Sequence, residues 1–195
     1  MPGNVGEEYH VCTERGFPFP LALATVLRGY SLAQQGNTSE GIAQIREGIA
    51  AYRATGAELE TQYWFALLAK ACAKKARLDE SSRALDEALS QVSRTGPRFC
   101  EAELHRLKGE LSLARPDADV QHAERCYREA LEVAQRQSAK SWELRTAASL
   151  ARLLRDTGRR DEARTMLTEI YGWFTEGFDT ADLRDAKALL DELSG

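Results

Sequence analysis

The chain is short of the residues that break helices and of those that favour strands. It holds five prolines, and none follows Pro116. Proline removes a backbone donor and collides with the preceding helical turn, so the long proline-free stretches can run as uninterrupted helices. Pro20 is placed to open a first helix, where its missing donor is harmless, and Pro97 and Pro116 to lie in connections. Valine and isoleucine together number ten, against 24 leucines. With β-branched residues this scarce, and no strict apolar–polar alternation over a useful length, strands are not expected.

Cysteine is equally sparse. Cys12, Cys72, Cys100 and Cys126 are far apart and form no CxxC pair. That argues against a disulfide-stapled secreted scaffold and for reduced thiols in a cytosol. No apolar run approaches the roughly 18 residues of a membrane span. The apolar stretch 17–27 could imitate a secretory leader, but Glu7, Glu8 and Glu14 precede it where a leader is basic. A cytoplasmic chain without membrane attachment is therefore expected. The net charge is −4 with both signs interspersed, so nucleic acid is not an expected partner.

The motifs of chemistry are missing as well. The glycines never cluster as a phosphate-cradling loop, no serine sits in a nucleophile elbow, and no His-Glu-x-x-His occurs. His122 and Cys126 share a helix face, but a structural zinc needs four ligands and no others are in view. Cys100 and His105, five apart, fall about 140° apart around a helix. The expectation is a chain that is not an enzyme, with no cofactor and no metal.

What the sequence does contain is helical rhythm. Ile42, Ile45, Ile49 and Tyr52 are spaced by three and four, and so are Leu85, Leu89 and Val92. Val120, Ala123, Tyr127, Ala130 and Ala134 follow, then Ala163, Leu167 and Ile170, then Leu183, Ala186, Leu190 and Leu193. Each set paints one apolar stripe on a helix. Asn37 with Glu40, Asp79 and Asp161 serve as caps or first-turn acids. Gly36, Gly56, Gly96 and Gly158 sit where helices should stop. Nine helices result, over 20–35, 38–54, 58–76, 79–94, 98–114, 118–137, 139–157, 160–175 and 179–193. Tyr52, Tyr127, Tyr171, Trp173 and Phe174 fall at interior spacing, with Trp173 and Phe174 closing the last repeat.

The helices pair, and the pairs repeat. Gly29, Ala69, Gly109 and Ala151 recur in the first helices; Gly41, Ser81, Ala123 and Ala163 recur in the second. Where two antiparallel helices cross closely, a larger side chain would push the backbones apart. One hairpin cannot bury its stripe alone, so the hairpins must stack. The turns repeat too: Ala76-Arg77-Leu78-Asp79-Glu80-Ser81 answers Gly158-Arg159-Arg160-Asp161-Glu162-Ala163.

Gly-x-x-Leu followed by Gly-Arg-x-Asp-Glu-Ala resembles a tetratricopeptide repeat, with a period stretched from the usual 34 residues or so to between 40 and 42. The resemblance implies an all-α, right-handed helical-hairpin solenoid: a lead over 1–17, then a repeat domain over 18–195. Its repeats cover about 20–56, 58–96, 98–137 and 139–175, with a cap over 179–193. Gly16-Phe17-Pro18-Phe19, the segments 51–59 and 101–111, and Gly172-Trp173-Phe174-Thr175-Glu176-Gly177-Phe178-Asp179-Thr180 together resemble a larger assembly. They are similar to the C-terminal helical repeats of bacterial STAND-type signalling ATPases that carry a class III adenylate cyclase or a DNA-binding domain, akin to the maltose regulator. No Walker loop, cyclase or DNA-binding domain occurs here, so those activities do not transfer. The chain reads as a C-terminal fragment or a stand-alone remnant.

By that resemblance the first helix of each hairpin lines a concave groove. Aligning the small residues brings Tyr30 and Gln34, then Tyr63, Lys70 and Lys74, then Glu103, Arg106 and Glu110, then Arg145, Arg152 and Arg155 onto it. Six of these are basic in an acidic chain, which suits an acidic peptide segment, a C-terminal carboxylate or a phosphate. At the other end, Phe17, Phe19, Leu23 and Leu27 need covering, either by residues 1–15 or by a second copy of the chain. The leading expectation is a non-catalytic protein- or peptide-binding scaffold of bacterial signal transduction. The alternatives are a small-effector sensor region or an oligomerisation module.

Overall fold

Every turn of chain that the sequence marks as helical can close only where its ends are satisfied, and the computed structural model shows how this is done. It describes residues 18–57, 59–95 and 98–195. Among these the regular elements are nine α-helices: α1 (Pro18–Gln34), α2 (Thr38–Ala54), α3 (Thr61–Lys74), α4 (Leu78–Thr95), α5 (Glu101–Leu113), α6 (Val120–Arg136), α7 (Lys140–Asp156), α8 (Arg160–Tyr171) and α9 (Ala181–Ser194). The first helix opens on Pro18, two residues earlier than the sequence reading, with Pro20 inside its first turn, where no helical hydrogen bond is lost. The third begins at Thr61 rather than residue 58, after Glu60 turns left-handed at φ 66°.

Helix ends follow the chemistry of unsatisfied donors and acceptors. Gly36, Gly56 and Gly158 adopt φ of 103°, 80° and 82°. Ala76 and Ser138 hold the same left-handed place at φ 57° and 54° without being glycine. At Gly36, Ala76, Ser138 and Gly158 the amide of the next residue returns to a carbonyl five residues earlier, as in Arg77 N–H to Cys72 O, 2.9 Å. Asn37 makes no side-chain cap, and Asp79 and Asp161 lie within first turns. Asp119 caps α6 with its side chain, its carboxylate accepting from the His122 amide at 2.8 Å. Gly96, Pro97, Phe17 and residues 1–15 lie outside the described residues.

The chain divides into two compact units, Met1–Arg98 and Phe99–Gly195. In the first, α1 pairs with α2 and α3 with α4, and α2 packs on α3. The small residues sit at the crossings. A β-carbon on Gly41 would lie 2.4 Å from the Gly29 carbonyl oxygen, and one on Gly29 would lie 2.8 Å from that of Gly41. In the second hairpin Ser81 Oγ donates to the Ala69 carbonyl at 2.9 Å, so a buried hydroxyl is satisfied by the neighbouring backbone. Val26, Ile42, Ile45, Tyr52, Trp64, Leu67 and Leu85 fill the core. The Tyr52 hydroxyl donates to the Leu59 carbonyl at 2.6 Å and ties down the α2–α3 connection.

In the second unit α5 pairs with α6, α7 with α8, and α9 lies against both α7 and α8. A β-carbon on Gly109 would come 2.6 Å from the buried Tyr127 ring. Leu144, Leu150, Leu154, Leu167, Leu183, Leu189 and Leu193 form one continuous core with Tyr127. Helix α9 buries Leu183, Ala186, Leu189 and Leu193 and turns Arg184, Asp185, Lys187, Asp191 and Glu192 outward.

One aromatic pair departs from the sequence reading. Helix α8 stops at Tyr171, not 175, so Trp173 leaves the helical register and is 58% exposed. Phe174 is half-buried against the core, with its ring 5.2 Å from that of Trp173.

A register runs through both units. A shift of 82 residues carries Thr38–Ala54 onto Val120–Arg136, the end of α3 at Lys74 onto the end of α7 at Asp156, and the start of α4 at Leu78 onto the start of α8 at Arg160. The left-handed turn residues Gly56 and Ala76 fall on Ser138 and Gly158. Helices α2–α4 and α6–α8 are thus two copies of one three-helix segment.

Candidate functional site

The residues singled out for a groove fall on the first helices of the hairpins, and the two units hold them differently. In the second unit α7 lies beside both α5 and α9. Arg145, Ser149, Arg152 and Arg155 stand at helical spacing along α7, Glu103, Arg106 and Glu110 along α5, and Asp182, Asp185 and Glu192 along α9. Arg145 Nε donates to Asp182 at 3.2 Å, Arg152 pairs with Asp185, and Arg155 reaches Glu192 at 2.7 Å. Arg155 also holds its neighbour Asp156 at 2.9 Å. The α7–α9 seam is a ladder of three interhelical ion pairs.

Arg106 is the most enclosed of these arginines, 6% exposed, beside Glu103 at 1%. Its Nε and Nη2 donate to the two Glu103 carboxylate oxygens at 2.7 and 3.0 Å, a bidentate fork. Its Nη1 pairs with Glu110 and reaches Ser149 Oγ on α7 at 3.2 Å. Burial opposes the charge on Arg106, but the Glu103 and Glu110 carboxylates outweigh it and hold the guanidinium protonated more firmly than usual. For Arg145, burial is likewise overcome, by Asp182 and Glu103. The positive charge that the sequence places on this face is therefore matched by carboxylates: for Arg106 by Glu103 and Glu110 of the same helix, for Arg145, Arg152 and Arg155 by three on α9 that the groove alignment did not include.

The first unit differs. Helices α1 and α3 contain no aspartate or glutamate, yet they carry Arg28, Lys70 and Lys74. Tyr30 and Tyr63 are half-buried there, and the Tyr63 ring meets that of Trp64 at 5.3 Å. Lys74 Nζ donates to the Gln34 carbonyl at 3.0 Å, joining α3 to the end of α1 through a neutral acceptor. Of the expected apolar end, Phe19 is 42% exposed with its ring 5.2 Å from Tyr52, and Leu23 and Leu27 are half-buried.

Other titratable groups are built into the packing. Cys72, Cys100 and Cys126 are buried thiols, and burial pushes Cys100 up to about 12. His122 Nε2 lies 3.5 Å from Cys126 Sγ, and among the described residues no three potential metal ligands gather. His105 Nδ1 sits 3.2 Å from Glu129; burial lowers its pKa against the pull of that carboxylate. Among the described residues no helix is long and apolar enough to cross a membrane.

No protein-family model matches this chain, and no curated protein matches it. Solved structures do. Two crystal structures of a kinesin-light-chain-type protein of Podosopora anserina, built of nearly identical TPR-like repeats, one of them a variant, superpose with TM-scores of 0.67 and 0.63. Their sequence identities are 14% and 16%, and each alignment covers 87% of this chain and 83% of that one. BtubC (BKLC) of P. vanneervenii gives a TM-score of 0.72 at 16% identity, over 97% of this chain and 85% of its own. The fold is that of all-α, TPR-like helical-hairpin repeats.

Proposed function

We propose that the chain is a non-catalytic scaffold that binds a partner polypeptide, with an acidic segment of that partner lying along α1 and α3 of the first unit. The observation that carries this is the sign of that face: Lys70, Lys74 and Arg28 with no acid on either helix, beside Tyr30 and Tyr63. Lys74, held by the neutral Gln34, keeps its attraction for a carboxylate, whereas Arg106, Arg145, Arg152 and Arg155 face carboxylates of their own. Arg106 acts as a strut inside the second unit, and the outer arginines contribute to binding only where an acidic ligand displaces Asp185 or Glu192. The setting in bacterial signal transduction, in the cytoplasm, rests on the resemblance to signalling-ATPase repeats.

A fluorescent peptide of alternating glutamate and leucine tests the reading by anisotropy. The wild type should bind saturably and more weakly as salt rises. Lys70→Glu with Lys74→Glu should abolish binding at unchanged helicity, and Arg152→Glu with Arg155→Glu should reduce it far less. Equal binding by both double variants would place the site elsewhere. A concentration-dependent mass with no peptide binding would favour self-association through Phe19, Leu23 and Leu27.

A further inference from the structure

The shift of 82 residues that relates the two three-helix segments also relates their ion pairs, and one pair is broken in the second copy. Arg46 on α2 pairs with Glu80 on α4; 82 residues on, Arg128 on α6 pairs with Glu162 on α8 at 3.0 Å. One turn of pairing further along, Arg53 holds Glu87 at 2.7 Å with its guanidinium 4.9 Å from the Phe65 ring centre. The equivalents of Arg53 and Glu87 are Gln135 and Glu169. The carboxylate is repeated and its arginine is not. Gln135 Nε2 turns to the buried Glu143 at 3.2 Å, and Glu169 makes no ion pair among the described residues.

The surroundings have changed in a concerted direction. Phe65 becomes Ala147, but Gln91, buried and donating to Glu87 at 3.0 Å, becomes the exposed Trp173. Ala84 and Ala88 become Met166 and Ile170. Together with Leu131 these line a cleft of about 430 Å³ that has Trp173 as a wall and Glu169 on its border. That volume lies within the range of ligand pockets. The first copy has a cleft of about 350 Å³ in the corresponding place, with Arg53, Glu87 and Gln91 in its lining, so what changes is its chemistry: a glutamine inside α4 gives way to a tryptophan just beyond the end of α8. Lys140 brings the one cation, and it is engaged with Glu143 at 2.7 Å and with the Trp173 ring at 5.6 Å. With Glu143 and Glu169 both carboxylates, the cleft keeps one negative charge in excess.

We propose that this cleft binds an arginine side chain of a partner polypeptide, its guanidinium taking the place Arg53 fills in the first copy, between the Glu169 carboxylate and an aromatic ring, here Trp173. The apolar floor of Leu131, Met166 and Ile170 then receives the residues beside that arginine. Guanidinium suits both contacts, since it forks onto carboxylates and stacks on indole. This site is separate from the basic face of α1 and α3 and has the opposite sign.

The test is a titration of the full chain, labelled with nitrogen-15, with the peptide acetyl-Ala-Leu-Arg-Leu-Ala-amide, following the Trp173 indole N–H resonance. The control peptide carries citrulline, which has the shape of arginine without its charge. The arginine peptide should shift the resonance saturably, and the citrulline peptide and Glu169→Gln should each weaken binding roughly tenfold, the worth of a charge-assisted contact. Gln135→Arg should remove binding by restoring the internal pair, with helicity unchanged and the melting midpoint equal or higher. Equal affinity for both peptides, no saturable shift, or full binding by Gln135→Arg overturns the proposal. Butylguanidinium binding as tightly as the peptide overturns the polypeptide assignment.

Discussion

Arg106→Met separates two roles for the most enclosed arginine of the candidate groove. If Arg106 is a strut, its loss leaves Glu103, 1% exposed, as a buried carboxylate without the bidentate fork at 2.7 and 3.0 Å. Breaking a buried pair by removing one partner costs about 3–5 kcal/mol, because desolvation of the survivor is no longer offset. The lost contact to Ser149 on α7 adds about 1 kcal/mol. The double variant Glu103→Leu with Arg106→Met removes both charges and fills the space with apolar atoms, so it should recover most of the loss, to within about 1–2 kcal/mol of wild type. Arg152→Ala, whose pair with Asp185 is largely exposed, should change stability by no more than about 1 kcal/mol. Urea unfolding followed by circular dichroism measures all three. A single variant that loses less than about 1 kcal/mol, or a double variant no more stable than the single, would refute the strut and return Arg106 to the pool of ligand-binding groups.

Three further outcomes follow from the same coordinates. Gly41→Ala should destabilise the first unit by about 1–2 kcal/mol in a thermal melt: the new methyl meets the Gly29 carbonyl oxygen at 2.4 Å and the Ala33 amide nitrogen at 2.7 Å, and that overpacking outweighs the gain of roughly 1 kcal/mol in helix propensity. Ala76→Gly should stabilise by about 1 kcal/mol, since φ of 57° strains alanine and not glycine; a loss on melting would show that the turn is held some other way. His105 has a folded pKa lowered first by burial, so it resists protonation in the fold. Stability should hold above its unfolded pKa of about 6.5 and fall as pH drops below it, and His105→Gln should flatten that slope in urea midpoints taken between pH 7.5 and 5.

Helix positions and crossings were legible because they rest on local spacing. Ile42, Ile45, Ile49 and Tyr52 needed only a period of three and four to reveal the buried stripe of α2, and all four are buried. Gly29 and Gly41 announced a close approach before any distance was known. Trp173 was placed inside because the same period was carried past Tyr171, where the helix had already ended. The groove charges failed to speak for themselves for a different reason. A guanidinium is informative only with its counter-charges, and those of Arg145, Arg152 and Arg155 lie on α9, some 33 to 37 positions later. Asp182, Asp185 and Glu192 stand at spacings of three and seven along one helix, and an acidic run of helical spacing two helices after a basic one was the available signal.

Duplication offers a sharper way to tell scaffold from site than burial or charge alone. What both copies of the three-helix segment keep, the chain needs in order to fold: the small crossing residues Ala69 and Ala151, the pairs Arg46–Glu80 and Arg128–Glu162, the left-handed turns at 76 and 158. Where the copies differ, as where α4 runs on to Thr95 while α8 stops at Tyr171, the fold leaves the sequence free of that demand. At the α2–α4 cleft Glu87 is held by both Arg53 and Gln91, and those two hydrogen bonds pull its pKa below the usual carboxylate range. At the α6–α8 cleft the arginine has become glutamine, the glutamine has become an exposed tryptophan, and two alanines have grown into methionine and isoleucine. Taken together they exchange a polar cleft with its own internal ion pair for one with an apolar floor and a carboxylate that has no ion pair among the described residues, which is chemistry directed at something outside the chain.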